Sequence, residues 1–294
     1  MATPLIDRVK REYEATTLWG SPLVRELLRE DLDRLQVDNS VSLKRVGALV
    51  QEARRLRAER YQVAFIVNRS FRSALLTVLA RIPTRVGHRT EGRGSLLTHR
   101  VPHDPLRHEG EAYGDLARAV GLEGAYDRVF LTICEAERQR GLEIAQGATV
   151  ALHPGASMLE KRMPLPALKK MVEALADQGH RIALFGGKEE RSYGEELANF
   201  TSVPLLNLIG TTDLRETLGA LSHFKLMIAG STGVMHMAVA MGVPTVGVFG
   251  PNLASRWGHS YGRNQAIQIP SKRIADLDPD VVLAAAAKAL SSGS

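Results

Sequence analysis

The chain has 294 residues, 44% apolar and 24% charged, which is enough for two ordinary domains and typical of a soluble globular protein. No apolar run reaches the length of a membrane-spanning helix, and the mixed-charge N-terminus does not resemble a signal peptide, so we expect a cytoplasmic protein. The one cysteine, Cys134, excludes an intrachain disulfide, and its apolar surroundings favour a buried bystander over a nucleophile.

The formal net charge of +6 predicts an anionic partner. Aromatic residues make up only 5% and do not alternate with a basic stripe, which argues against single-stranded nucleic acid. Arginines concentrate between Arg69 and Arg107, and a phosphorylated lipid acceptor at the inner membrane surface fits them better than DNA. An arginine-rich composition without a binding role is the alternative.

In the first half, apolar periodicity predicts helices over residues 5–13, 24–35, 43–58, 73–79 and 112–120. A short strand is expected at 16–19, and a continuous apolar run at 63–67 is typical of a buried parallel strand. Residues 141–147 read as a linker. We therefore expect an N-terminal domain over 1–146, a C-terminal domain over 147–275, and a helix over 276–294 that packs back toward the N-terminal domain. Asp278 as N-cap and Pro279 at the first helical position would start that helix.

From residue 149 onward, strands that end in glycine-bearing turns alternate with helices. This alternation predicts a parallel sheet whose loops gather at the carboxyl ends of the strands, where ligands bind. The turn Ser231-Thr232-Gly233 would let a ligand approach the backbone. A helix beginning near Val234 would direct its free N–H groups and dipole at an anion such as a diphosphate, close to His236. An ordinary strand–helix connection with a surface histidine is the alternative.

Seven motifs follow one another in the second half: His153-Pro-Gly-Ala-Ser157, Lys161-Arg-x-Pro164, Phe185-Gly-Gly-x-x-Glu190, Leu208-x-Gly-Thr-Thr-x-Leu214, Ser231-Thr-Gly-x-Met-His236, Gly242-Val-Pro-Thr245 and Phe249-Gly-Pro251. In this order they resemble the bacterial ADP-heptose:lipopolysaccharide heptosyltransferases, glycosyltransferase family 9, and most closely those that add the second heptose. The likeness continues upstream through residues 68–75, 82–87 and 96–101.

The resemblance implies an α/β fold of the GT-B kind, with two Rossmann-like domains facing across a cleft. It implies an inverting transfer of heptose from ADP-heptose to the lipopolysaccharide inner core, with no metal and no cofactor. The implied partners are the ADP-sugar donor and a phosphorylated, lipid-linked glycan acceptor. We further expect a monomer that makes peripheral contact with the inner membrane and binds no nucleic acid.

The family's functional residues map onto both predicted domains. Lys161 and His236 would stabilise the charge of the departing ADP, and the other donor-side residues would be Ala156, Ser157, Glu190, Thr211, Thr212, Ser231, Thr232 and Gly233. Arg69, Ser70 and Arg72, which follow the strand at 63–67, would meet acceptor phosphates. Ordinary roles remain open: a solvated lysine, a helix N-terminal carboxylate at Glu190, turn threonines, and a helix cap at Ser70.

The chain departs from the family pattern in two places. The family's first strand and Gly-Asp turn, whose aspartate is the expected catalytic base, have no counterpart in a sequence that starts Met1-Ala2-Thr3-Pro4. The catalytic base is therefore unassigned, and the strands at 16–19 and 63–67 should lack their shared partner. Ser231 also stands where the family often has an aspartate.

These departures leave two alternatives open. One is a related transferase that uses another nucleotide sugar or another glycan acceptor. The other is a protein that binds a nucleotide sugar without catalysing transfer.

Overall fold

The computed structural model describes residues 1–29, 35–39, 46–155 and 159–291. The chain divides into two compact units. The first unit comprises Met1–Arg25 and Leu32–Asp127, and the second comprises Glu26–Asp31 and Arg128–Ser294.

The elements in the first part of the chain, through residue 127, are α1 (Thr3–Glu12), β1 (Thr16–Gly20), α2 (Pro22–Leu27), β2 (Leu35–Asn39), α3 (Val46–Ala58), β3 (Val63–Ile66), α4 (Phe71–Leu79), β4 (Thr84–His88), β5 (His99–Val101) and α5 (Glu109–Arg118). Strands β3, β4 and β5 form one parallel sheet, and β1 and β2 form a parallel pair. Among the described strands, β1 and β3 thus lie in separate sheets.

The helix predicted over 24–35 is wrong at the described residues after Leu27. Helix α2 ends at Leu27, residues 30–34 lie outside the described part, and β2 begins at Leu35. The alternation Leu35-Gln36-Val37-Asp38 has the two-residue period of a strand, but it is too short to outweigh the helix-forming charged residues before it. The predicted start of the helix at 43–58 falls on residues outside the described part, and α3 is described from Val46.

The second unit contains one six-stranded sheet flanked by helices. Its elements are α6 (Glu135–Ala145), β6 (Val150–His153), α7 (Leu165–Asp177), β7 (Ile182–Leu184), α8 (Arg191–Phe200), β8 (Leu205–Asn207), α9 (Leu214–Leu221), β9 (Leu226–Gly230), α10 (Gly233–Ala240), β10 (Thr245–Phe249), α11 (Ala254–Trp257), β11 (Gln265–Gln268) and α12 (Pro279–Ser291). The strand order is β11-β10-β9-β6-β7-β8, and every pair is parallel, which confirms the predicted sheet.

Both faces of the central strands are buried because these strands are apolar at most positions. Side chains of successive strand residues point to opposite faces, so Val150 and Leu152 pack with α7 and α12 while Ala151 belongs to the core on the other face. The residues of β6, β9 and β10 are all buried. This core fixes the carboxyl ends of the strands, where the predicted site lies.

The predicted linker at 141–147 is wrong, because Gly141 lies inside α6. A Cβ on Gly141 would lie 2.0 Å from the carbonyl carbon of Gly219 in α9, so the two helix backbones touch at these glycines. Glycine serves here to allow close packing rather than flexibility. Helix α6 therefore belongs to the second unit, and the boundary follows Asp127 instead of residue 146.

A buried ion pair crosses the same helix–helix contact. Arg215 on α9 is 4% exposed and donates from Nε to Oε1 of Glu137 on α6 at 2.7 Å. Its other nitrogens donate to the carbonyls of Leu27 and Thr132, at 3.1 and 3.0 Å. The hydrogen bond from Arg215 lowers the pKa of Glu137 to about 2, with help from the Cys134 N–H.

Cys134 precedes α6 as its N-cap residue. Its thiol is free and half-buried, and its backbone N–H donates to Oε2 of Glu137 at 3.0 Å. The predicted bystander role agrees with this position, although Cys134 is not fully buried.

The C-terminal helix begins as predicted, since Oδ1 of Asp278 accepts the N–H of Asp280 at 2.9 Å and Pro279 is the first helical residue. Its buried residues, Val282, Ala286 and Ala289, join the core formed with α7 and the sheet of the second unit. The buried face of α12 therefore belongs to the second unit, and packing of this helix toward the N-terminal domain stays a prediction.

The first unit holds one of the chain's two tryptophans, Trp19 on β1. Its Nε1 donates to Oε1 of Glu52 on α3 at 2.9 Å, and Arg55 contacts the same carboxylate. This hydrogen bond attaches the β1–β2 pair to α3.

Candidate functional site

The strand order of the second unit's sheet reverses between β6 and β9. The chain passes from β6 outward to β7 and β8, and then returns so that β9, β10 and β11 extend the other edge. Loops that leave two adjacent strands in opposite directions open a crevice at the carboxyl ends of those strands, where open α/β sheets bind ligands. The turns after His153 and Gly230 border this crevice.

A small pocket at this edge brings together three residues that the sequence singled out. Lys161, Ser231 and Thr232 line it, with Val248, Gly250, Pro251, Asn252 and Ile274. Lys161 ends a short 3-10 turn, Leu159–Lys161, and its backbone carbonyl lies 3.9 Å from the position a Cβ would take on Gly230. The predicted lysine is thus next to the turn that follows β9.

Thr232 occupies the N-cap position of α10, and the helix begins at Gly233 as the sequence indicated. Its Oγ1 is buried and has no hydrogen-bond partner among the residues that the structure describes. The hydroxyl of Ser231 instead accepts a hydrogen bond from Nδ2 of Asn252 at 3.0 Å. A helix N-terminus with an unused hydroxyl and a neighbouring lysine is suited to hold a phosphate group.

His236 lies in the first turn of α10, half-buried. Its Nδ1 is 2.9 Å from Nε2 of His259, which is 3% exposed, and its ring centroid lies 6.5 Å from that of Trp257. The sequence did not single out His259, because no local motif marks a histidine that reaches a partner 23 positions away.

Glu190 has partners within the protein. Its Oε2 accepts the N–H of Gly187 at 2.7 Å and lies 3.4 Å from Nε2 of His153. Burial alone would raise the pKa of Glu190, but His153 and the Gly187 N–H hold it below its usual value. The carboxylate fills the space beside Gly155 and Gly186, so it joins the turns after β6 and β7. Contact with a ribose stays a prediction.

The paired threonines line a second cavity of about 230 Å³ at the edge of α6 and α9. Thr211 donates from Oγ1 to the carbonyl of Leu208 at 3.0 Å, and Oγ1 of Thr212 is 2.8 Å from that of Thr217. Their role at an adenosine stays a prediction. Ala156 and Ser157 lie outside the described residues.

The three acceptor-side residues differ in what they contact. Arg69 forms an ion pair with the buried Glu109, at 2.6 Å between Nη2 and Oε1. The Ser70 hydroxyl caps α4 by accepting the N–H of Arg72 at 3.2 Å, and the side chain of Arg72 is exposed. Arg72 is therefore the member of the set best placed to meet an anion from solvent.

A buried arginine that the sequence did not identify fixes this loop. Arg93 has no exposed surface and donates from Nε to the carbonyl of His88 at 2.8 Å and from Nη1 to that of Asn68 at 2.6 Å. No local sequence pattern distinguishes it from the many exposed arginines nearby. Its hydrogen bonds hold the segment before Arg69 against the carboxyl end of β4.

In the described ranges 1–29, 35–39, 46–155 and 159–291, no cluster of three or more histidine, cysteine, aspartate or glutamate side chains could hold a metal ion. Within those same ranges, no helix combines the length and the apolar character needed to cross a bilayer.

Comparison with known proteins decides the family. The model of glycosyltransferase family 9 (heptosyltransferase) matches residues 50–276. This chain belongs to glycosyltransferase family 9. The family 9 chain is 30% identical over 229 residues to lipopolysaccharide heptosyltransferase 2 of Salmonella typhimurium, an alignment that covers 70% of this chain and 66% of that one. It spans 61–66% of the length of four curated heptosyltransferase 2 relatives.

Solved structures show the same fold. The family 9 chain superposes on a glycosyl transferase family 9 protein from Veillonella parvula with a TM-score of 0.84, at 17% identity, covering 98% of this chain and 92% of that one. For E. coli ADP-heptose lps heptosyltransferase II the TM-score is 0.77 at 21% identity, with 98% and 94% covered. The predicted GT-B-like α/β fold with parallel sheets is confirmed.

Proposed function

We propose that this chain is an inverting glycosyltransferase that moves heptose from ADP-heptose to the inner core of lipopolysaccharide. The observation that carries the proposal is the pocket where Lys161, Ser231 and Thr232 meet at the N-terminus of α10. Family membership and heptosyltransferase 2 relatives supply the substrate class. The proposed setting is the cytoplasm, with peripheral contact at the inner membrane.

The pocket can stabilise the charge that develops when ADP leaves. The ammonium of Lys161, the N–H groups at the start of α10 and the unused Thr232 hydroxyl are all donors or positive charges. Fixed groups of this kind lower the barrier because they are in place before the sugar–phosphate bond breaks. On the acceptor side we propose Arg72 for the phosphate contact, with Arg69 and Ser70 shaping its loop. The base that takes the acceptor proton is not assigned to a residue.

Removing the side chain of Lys161 from the donor pocket, or that of His236 beside it, should weaken nucleotide binding. Lys161→Ala and His236→Ala are each expected to raise the Kd for ADP about tenfold or more, because a charge-assisted contact contributes about 1.5–3 kcal/mol. Isothermal titration calorimetry with ADP measures this directly.

The matched control is Lys169→Ala, which removes a lysine paired with Glu173 on the surface of α7. It should leave the Kd unchanged, and Lys161→Arg should retain most of the affinity. Wild-type affinity in both Lys161→Ala and His236→Ala would reject the donor-site assignment.

Transfer should need no divalent metal, because the pocket offers a lysine and a helix N-terminus where metal-dependent transferases offer a cation. Adding EDTA to an assay with ADP-heptose and an inner-core acceptor should leave the initial rate within about twofold of the control. A catalytic metal supplies several kcal/mol of transition-state stabilisation, so removing one would slow the reaction far more than twofold. If EDTA abolished turnover and magnesium restored it, the mechanism would be wrong.

The second candidate is nucleotide-sugar binding without transfer, because the pocket at the N-terminus of α10 accounts for binding while the base is not assigned to a residue. Mass spectrometry of the acceptor after incubation with ADP-heptose separates the two. A heptose mass increment, with the inverted anomeric configuration by NMR, supports the transferase. ADP binding without a mass increment supports nucleotide-sugar binding without transfer. Transfer from another nucleotide sugar is tested by repeating the assay with that sugar in place of ADP-heptose.

A further inference from the structure

Two histidines of the second unit form a pair beside the donor pocket. His236 lies in the first turn of α10, and His259 is buried in the loop that follows α11. Nδ1 of His236 and Nε2 of His259 are 2.9 Å apart, and the rings meet edge to face with centroids 5.1 Å apart. The distance and geometry are those of a hydrogen bond between two imidazoles.

Such a bond requires one proton between the two nitrogens. A neutral pair satisfies this requirement, and so does a pair with one added proton, in which Nδ1 of His236 donates to Nε2 of His259. A second added proton would set two N–H groups against each other. The pair therefore holds one positive charge readily and two with difficulty, and its two rings titrate as a coupled unit.

Three cationic side chains lie near the pair. Strands β9 and β10, against which α10 packs, carry no charged residue, and the charges of α9 are engaged in the pairs Arg215–Glu137 and Arg140–Glu216. Arginines stack on the aromatic neighbours of both histidines, and a lysine lines the adjoining pocket: Arg256 over Trp257, Arg128 over Tyr261, and Lys161 beside Thr232.

Positive surroundings disfavour the charged pair, and a bound diphosphate reverses that effect. We propose that His259 is a positioning residue for His236, and that the pair takes up one proton from solvent when ADP binds. Accepting the Nδ1 proton, His259 fixes the orientation of His236 and leaves an N–H at Nε2 to donate toward the diphosphate. The proton returns to solvent when ADP is released. This inference rests on the proposed function, because it needs ADP as the anion.

Calorimetry at pH 7.5 tests the proposal. Titrating ADP into the intact chain in two buffers with different ionisation enthalpies gives the number of protons bound per ADP. The wild-type chain should take up a measurable fraction of one proton. His259→Leu should lose most of that uptake and raise the Kd for ADP about fivefold, the contribution of roughly one hydrogen bond.

His259→Gln provides the rescue, because its amide oxygen can accept the Nδ1 proton of His236. The variant should recover most of the wild-type affinity for ADP, while the number of protons bound per ADP should differ from the wild-type number. The control is His223→Gln, since His223 belongs to the same unit and bonds through Nε2 to the carbonyl of Arg138, away from the pair. This variant should match wild type in both quantities.

Two results would overturn the proposal while leaving the proposed function intact: ADP binding by the wild-type chain without proton uptake, or uptake unchanged in His259→Leu. A wild-type chain that does not bind ADP at all would overturn both. Long-range ¹H–¹⁵N spectra of the wild-type chain give a reading that needs no variant. They should show one shared proton between His236 and His259, and a spectrum of two independent imidazoles would refute the pair.

Discussion

An alanine at Gly141 should lower the free energy of unfolding of the second unit by about 3 kcal/mol, at the upper end of the usual cost of overpacking. The added Cβ would lie 2.0 Å from the carbonyl carbon of Gly219 and 2.2 Å from its oxygen. These are backbone atoms of a packed helix, so no side chain can rotate to make room. The helices must separate, although alanine itself favours a helix by up to about 1 kcal/mol over glycine.

Urea unfolding followed by fluorescence, combined with hydrogen exchange of peptides from α6 and α9, measures this loss. Gly47→Ala is the matched control because Gly47 lies in α3 and a Cβ there meets nothing within 4 Å. It should be neutral or stabilise by up to about 1 kcal/mol. A loss below about 1 kcal/mol for Gly141→Ala would mean that the helices do not touch through these glycines.

Breaking the Arg215–Glu137 pair should be at least as costly. Arg215→Met leaves the carboxylate of Glu137 without its main partner in a site where that side chain is 10% exposed, and it also removes donors from the carbonyls of Leu27 and Thr132. Removing one member of a buried pair typically costs about 3–5 kcal/mol. Arg215→Lys should recover little, because an ammonium cannot reproduce the guanidinium's several directed bonds.

The same pair predicts how stability changes with pH. The pKa of Glu137 is about 2 in the folded chain and near 4.5 as its ordinary value. Because the folded pKa is the lower one, the carboxylate contributes its full stabilisation above pH 4.5 and loses it as the pH falls toward 2. Urea midpoints measured between pH 6 and pH 3 should therefore fall less steeply in Glu137→Gln than in the wild-type chain. Parallel curves for the two proteins would contradict this assignment.

The sequence predicted β6, β7, β9 and β10 well because each is a short apolar run that ends in a glycine-bearing turn, whereas β8 and β11 were not predicted. Local signals of this kind also located the start of α10 at Gly233 and the capped start of α12 at Pro279. The prediction failed at a glycine whose role depends on a distant part of the chain. Gly141 looks like a linker residue in sequence, and only the approach of Gly219, far along the chain, explains it.

The residues of the candidate site also fall into those that the sequence identified and those that it missed. The Ser231-Thr232-Gly233 turn was identified because phosphate-binding turns have a local pattern, and Lys161 because it matches a motif of the family. The structure brings Lys161, Ser231 and Thr232 to one pocket. His259 and Arg93 were missed, since each acts through a hydrogen bond to a distant segment. For Arg69 and Ser70 the residue type suggested ligand contact, but their ion pair and helix cap depend on neighbours that composition does not reveal.

The placement of the two tryptophans gives each unit its own optical reporter. Trp19, bonded to Glu52, lies in the first unit, and Trp257, beside His236, lies in the second. Replacing either with phenylalanine leaves a chain whose indole emission comes from one unit alone. Denaturation curves from the two single-tryptophan chains would coincide if the molecule unfolds in one cooperative step and separate if the units melt independently. The chain thus carries the means to measure how far its two halves depend on each other.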